Sequence, residues 1–149
     1  MKPIRPAESN DWARIAEIEI FNYRLNFYPI FQSDPFYFGE LQVPAMIQAY
    51  EQGEQPLNET YVYDDGVVKG FIRLNGPEVQ KLFVEPVLQG HGIGAALLDF
   101  AIKEKDVRFL WALEKNTRAI AFYKRYGFTP TGERKSEDDT TEYLVRLER

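Results

Sequence analysis

The stretch EPVLQGHGIGAALLDF, residues 85–100, decides the fold. Three glycines, Gly90, Gly92 and Gly94, fall within five positions, and an apolar pattern of helical period (Ile93, Leu97, Leu98, Ala101) begins among them. Bare backbone directly before a helix suits an anion. Glycines let N–H groups come close to a ligand, and the first turn of a helix presents N–H groups that lack a helical acceptor and carry partial positive charge. Phosphate is the obvious ligand, although a tight turn or close packing would also ask for glycine.

Working outward, EVQKLFVEP (78–86) reads as a strand before this stretch and VRFLWAL (107–113) as a strand after it, so the whole forms a β-α-β unit. ETYVYDDGVVKGFIRL (59–74) holds two β-rich runs about Asp64-Asp65-Gly66, a hairpin that Asn75-Gly76-Pro77 ends. Residues 2–6 predict a short strand. ESND (8–11) then offers caps for a helix carrying Trp12, Ile15, Ile18 and Phe21 at threefold spacing. Prolines at 29, 35 and 44 punctuate an aromatic-rich stretch that reads as a broken or second helix ending at Gly53. Asn116 is placed to cap a last helix with Ala119, Ile120, Tyr123 and Tyr126 on one face and Gly127 at its end. FTPTGERKSEDDTTEYLVRL (128–147) reads as two strands around a polar, acidic turn. The order β-α-α-β-β-β-α-β-α-β-β predicts an α/β (α+β mixed) fold in one domain, 1–149. It is a single mixed sheet with helices on its faces, parallel only at the β-α-β crossover.

Composition narrows the chemistry. With no cysteine and one histidine, thiolate metal sites, disulfides and cysteine nucleophiles are excluded and a histidine zinc site is disfavoured. A net charge of −5 argues against broad nucleic-acid binding and leans toward cationic substrates such as amines. The opening MKPIRPAESNDW lacks the apolar core of a signal peptide, and no run approaches the roughly 20 apolar residues of a membrane span. The expectation is a cytoplasmic protein without membrane partners.

Three readings compete for the glycine loop. A P-loop ends in Gly-Lys-Ser/Thr, where this chain has Ala95-Ala96. The dinucleotide fingerprint G-x-G-x-x-G/A is matched by Gly90, Gly92 and Ala95, with Glu114 about where a ribose-binding acid belongs. That fingerprint sits directly after a strand, whereas Glu85 to Gln89 intervene here, and the 55 residues after Gly94 cannot hold the remaining parallel strands. The third reading also uses NTRAIAFYKRYGF (116–128). LQGHGIGAALL resembles the acyl-CoA loop Q/R-x-x-G-x-G/A of the GCN5-related N-acetyltransferase superfamily through Gln89, Gly92 and Gly94. The second block is similar to that family's N-x-x-A-x-x-F/L-Y-x-x-x-G-F at Asn116, Ala119, Phe122, Tyr123, Gly127 and Phe128.

The resemblance implies a mostly antiparallel sheet with a β-α-β core that binds acetyl-CoA, and acetyl transfer to a primary amine, small-molecule or peptide. It implies that Gln89, Gly90, His91, Gly92, Ile93, Gly94 and Ala95 cradle the diphosphate through backbone N–H groups, with His91 a solvated loop residue rather than a base. Leu82, Phe83 and Val84 would lend backbone groups to the pantetheine arm and the thioester carbonyl. Tyr123 matches the position that protonates the departing thiolate, and Asn116 would contact the coenzyme, cap the helix, or do both. Glu78 lies at the offset where several members carry a proton-relaying glutamate, and strand alternation would place it on the face of Gln80, Leu82 and Val84. Where other members have a glutamate five residues before the asparagine, this chain has Trp111. The acceptor wall would draw on Tyr23, Phe27, Tyr28, Phe31, Phe36, Tyr37 and Phe38, whose ring faces attract ammonium groups or simply fill a core. Glu137-Asp138-Asp139 reads first as a hairpin tip. Arg118, Lys124 and Arg125 are placed to meet the ribose phosphate or to be solvated. Homodimers are common in the family. Two further readings stay open: an acyl-CoA-binding module without catalysis, and a nicotinamide-dependent oxidoreductase.

Overall fold

The computed structural model describes residues 3–54, 59–138 and 140–149. Seven strands form one sheet: β1 (Ile4–Pro6), β2 (Thr60–Asp64), β3 (Val68–Asn75), β4 (Glu78–Val84), β5 (Phe109–Leu113), β6 (Thr129–Ser136) and β7 (Tyr143–Glu148). Their spatial order is β1-β2-β3-β4-β5-β7-β6, and β4–β5 is the one parallel neighbour pair. The hairpin at Asp64-Asp65-Gly66 and the turn at Asn75-Gly76-Pro77 fall where the turn chemistry puts them.

Helices cover both faces. On one lie α1 (Trp12–Asn22) and α3 (Val43–Glu51), joined by a π turn (Tyr23–Phe27), the single turn α2 (Tyr28–Phe31) and a second π segment (Pro35–Glu40). Their core is Ile15, Ile18, Tyr50, Val62 and Phe71. On the other lie α4 (Ile93–Lys105) and α5 (Thr117–Arg125), packed on Ile72, Leu74, Val79, Leu110 and Phe128. Leu97 and Leu98 of α4 are fully buried, which contributes about 1.5–3 kcal/mol for each side chain. Among the described residues no helix is long and apolar enough to cross a membrane.

Three sequence expectations need correction. The threefold spacing Trp12, Ile15, Ile18, Phe21 carries Phe21 out to solvent, because a helix advances 3.6 residues per turn. The buried stripe of α1 runs through Ile15, Ile18, Glu19 and Asn22 instead. In the stretch after α1 the second helix expected to end at Gly53 is present as α3, with Gly53 just past it, and the broken-helix alternative gives way to short α and π turns before it. Pro29 has no N–H to give the Leu25 carbonyl, so the regular helix cannot run through it.

The third correction is in β4. Arg73 pairs with Lys81 while Leu74 pairs with Val79, so Gln80 is the extra residue of a β-bulge. One inserted residue reverses the alternation on either side of it. Val79, Leu82 and Val84 therefore pack together beneath α4. Glu78, opposite Asn75, shares the α1 face with Lys81 and Phe83 rather than the face of Leu82 and Val84.

Candidate active site

The β4–β5 ladder is the feature from which the site grows. It holds two residue pairs, Glu78 with Phe109 and Val79 with Leu110, and then stops. Past that point the two strands bound open space. A smaller cleft of about 360 Å³ lies on the α4 side, lined by Val84, Gln89, Gly90, Gly92, Ile93, Gly94, Ala95 and residues of α5. A larger cleft of about 1470 Å³ opens toward α1 and the β6–β7 hairpin. The two share Phe27, Leu82, Phe83, Asn116, Ala119 and Tyr123 as common wall.

In the smaller cleft, Gly90 and Gly92 sit at φ of 86° and 84°, a backbone that side chains rarely adopt. Gly92 is the N-cap of α4, and the first helical bond runs from the Ala96 N–H to the Gly92 carbonyl. The N–H groups of Ile93, Gly94 and Ala95 are thus left without a helical acceptor, and no side chain caps them. Gly94 has no positive φ, and a Cβ placed on it would meet Val84 Cγ2 at 3.6 Å and Phe122 Cζ at 3.7 Å, ordinary contacts. Neither strain nor packing explains that glycine. The N–H groups left without a helical acceptor, with no side chain at Gly94 to crowd them, form a cradle that fits a diphosphate. Arg118 and Arg125 border the same cleft, whereas Lys124 and the exposed His91 do not line it.

Tyr123 reaches both clefts from α5. The Asn116 side chain accepts the Ala119 N–H at 3.2 Å, which starts α5 and fixes the direction in which Tyr123 projects. Burial pushes the Tyr123 phenol well above its usual range, so the group keeps its proton at any physiological pH. Glu78 lines the larger cleft and not the smaller.

The larger cleft is walled by Tyr23, Phe27, Phe31, Phe36 and Tyr37, with Glu137 and Asp138 from the hairpin opposite. Tyr37 lies close enough to Glu137 that burial and then that carboxylate's charge raise its phenol. Tyr28 and Phe38 lie outside the lining and pack on each other, ring centroids 5.0 Å apart. Trp111, on β5, carries the Lys135 ammonium 4.2 Å above its ring. Asp139 lies outside the described residues.

Beneath this wall is a charged cluster absent from the sequence reading. Glu19 of α1 is 2 % exposed and has both oxygens occupied: Oε1 accepts Tyr50 Oη at 2.9 Å, and Oε2 accepts Tyr23 Oη at 2.6 Å and the Lys81 ammonium. Arg73, 1 % exposed, stands 3.8 Å from Oε1, donates to the Tyr50 hydroxyl, and reaches Thr60 Oγ1 at 3.1 Å. Burial works to raise the Glu19 carboxyl, but Lys81, Tyr23 and Arg73 together hold it below the usual carboxylate range. Lys81 is the member that lines the larger cleft together with Tyr23. The available signal was positional: a glutamate four residues after Ile15, within an apolar stripe, must bury with a partner.

The geometry agrees with comparisons to known proteins. The pattern of the acetyltransferase (GNAT) domain matches residues 56–130, half of the chain. The peptidyl-lysine N-acetyltransferase YjaB of Salmonella typhimurium is 35% identical over 77 residues, 52% of this chain and 53% of that protein. The chain thus spans about half the length of the curated relatives it matches. In fold it is similar to an N-acetyltransferase from Staphylococcus aureus Mu50, with a TM-score of 0.76 at 16% identity over 98% of this chain and 99% of that one. It is also similar to the PaiA N-acetyltransferase of Thermoplasma acidophilum in complex with coenzyme A, with a TM-score of 0.67 at 17% identity over 98% of each chain. A mixed sheet parted between β4 and β5, a glycine cradle at the start of α4 and a tyrosine common to both clefts are what a matching domain pattern should fold into, and the chain belongs to the GCN5-related N-acetyltransferase (GNAT) family.

Proposed function

We propose that the protein moves the acetyl group of acetyl-CoA directly onto a cationic primary amine, of which a peptide lysine is the leading example. The observation that carries this reading is the shared wall at Leu82, Phe83, Asn116, Ala119 and Tyr123, where a phosphate-suited cleft meets an aromatic and acidic one. Acetyl-CoA supplies the activated thioester and, in its thiolate, the leaving group. The N–H groups at the start of α4 receive the diphosphate, and the open end of β4 (Leu82–Val84) offers backbone groups to the pantetheine arm. Tyr123, kept protonated by burial, gives its hydroxyl proton to the departing sulfur. Glu78 takes one proton from the incoming ammonium, directly or through water, from the α1 face to which the bulge turns it, so that a neutral amine attacks. The second nitrogen proton leaves as the amide forms and, passed through water, restores the Tyr123 phenol. The relatives named peptidyl-lysine N-acetyltransferases support lysine as acceptor. So does a wall of Tyr23, Phe27, Phe31, Phe36 and Tyr37 facing Glu137 and Asp138, since ring faces and carboxylates both attract ammonium groups.

Thermal unfolding in the presence of acetyl-CoA, CoA or NADH tests the coenzyme. A ligand at a hundred times its dissociation constant adds about 2.7 kcal/mol, a rise of roughly 5–10 °C for this size. Acetyl-CoA and CoA should raise the midpoint and NADH should not. The reverse pattern would replace the transferase reading with a nicotinamide one. Lysine peptides and diamines, assayed for released CoA, then identify the acceptor class, and binding without turnover on any amine would leave a carrier module.

A further inference from the structure

We propose that Asn22 is a positioning residue for the coenzyme cleft, tying the glycine loop to the open end of β4. The inference rests on the acetyl-CoA reading above. Asn22 ends α1, is 1 % exposed, and has a full set of hydrogen bonds. Its Nδ2 donates to the Ile18 carbonyl and to the Val84 carbonyl, both at 2.8 Å. Its Oδ1 accepts Gln89 Nε2 at 3.1 Å and Asn26 Nδ2 at 3.3 Å. Two carbonyl oxygens can be met only by an NH2 group, so the amide has one orientation.

Three of the four partners, Val84, Gln89 and Asn26, border the cleft that the coenzyme would use, and the Ile18 carbonyl is the bond that holds the amide to its own helix. Val84 is the last residue of β4, where the strand borders the smaller cleft. Gln89 is the first residue of the glycine motif, and its side-chain donor is aimed at Asn22. The glutamine of the motif thus acts here as an anchor of the loop, with Asn22 as the buried post. Asn26 belongs to the π turn that supplies Tyr23 and Phe27 to the larger cleft, so the same amide also fixes that turn beside the coenzyme cleft. An alanine at 22 would leave the Val84 carbonyl and the Gln89 amide without this partner, and an aspartate would set a carboxylate against two carbonyl oxygens.

The test is calorimetric titration of CoA into the wild type, Asn22→Ala, Gln89→Leu and the double variant, with melting curves for each. Val107→Ala, a fully buried core position on the other face of the sheet from α1, serves as a stability control. Asn22→Ala should weaken CoA binding at least tenfold and Gln89→Leu several-fold. The double variant should be no weaker than Asn22→Ala, because the Asn22–Gln89 bond that Gln89→Leu removes is already lost in Asn22→Ala, while Val107→Ala should melt earlier with unchanged affinity. Lower melting with undiminished CoA affinity in Asn22→Ala, or additive losses in the double variant, would overturn the proposal. If Asn22→Ala does not fold, Gln89→Leu decides alone, and unchanged affinity there overturns it. Failure of the wild type to bind CoA removes the coenzyme reading and this inference together. Wild-type binding with unaffected variants removes this inference only.

Discussion

At the scale of single residues, variants of Tyr123 and Gly94 would separate the proposed chemistry from the proposed binding. Tyr123→Phe removes one hydroxyl from a half-buried ring that packs on Phe122 and Phe128. On the proposed chemistry it should lower kcat by about 10²–10⁴, the usual range for a lost general acid, and leave CoA affinity within about twofold. Stopped-time assays of released CoA and a binding titration measure the two effects. Because burial raises the Tyr123 phenol, the wild-type rate should show no alkaline fall from this group through pH 9. Gly94→Ala works in the opposite sense. The added methyl fits among Val84 and Phe122 and favours the helix, so thermal stability should hold or rise by up to about 1 kcal/mol while CoA binding weakens. A parallel loss of stability and affinity would show that the glycine serves the fold and not the ligand.

At the scale of elements, the legible and the hidden parts divide by what a single strand of sequence can encode. The hairpin β2–β3, the glycine loop, α4 and the Asn116-capped α5 were readable because turn residues, periodicity and caps are local signals. The bulge at Gln80 left a faint trace, two polar residues in a row (Gln80-Lys81) that set Val79 and Leu82 three apart, but only the pairing with Arg73 and Leu74 shows which residue is extra. That hidden residue decides which face Glu78 occupies. The π turn at Tyr23–Phe27 left a proline as its one trace. Glu19 and Asn22 are hidden for another reason: they are polar members of an apolar stripe, and the period of the apolar residues carries no mark of them. The α4 terminus offers a check on local backbone reasoning. Asp106 holds φ 51° at the end of that helix, so Asp106→Gly should raise stability by about 0.5–1 kcal/mol in denaturant titration.

At the scale of the whole molecule, the Glu19 cluster governs how the fold meets acid. The Glu19 carboxyl lies below its unfolded value, so its contribution is fully present above about pH 4.3 and is lost as pH falls through the folded value. Asp11 and Asp64, both lowered and both bonded to Arg5, add to the same slope. Glu19→Gln should therefore flatten the acid limb of the stability curve without removing it. Glu19→Ala should cost about 3–5 kcal/mol at pH 7, because it leaves the buried Arg73 and the half-buried Lys81 without their shared carboxylate. Equal acid limbs in the wild type and the Glu19→Gln variant would assign the slope to Arg5 and its partners.

The two-pair ladder between β4 and β5 has a mechanical meaning as well. It divides the sheet into a four-stranded plate, β1 to β4, and a three-stranded plate, β5 to β7, stitched along a very short seam. The crossover through α4 is the covalent strap over that seam, and the proposed cosubstrate would lie across it like a rivet, touching β4 on one plate and α5 on the other. Amide hydrogen exchange in Leu110–Leu113 should then slow on adding CoA more than exchange in the β2–β3 hairpin, so that coenzyme loading is felt as a stiffening of the joint between the plates.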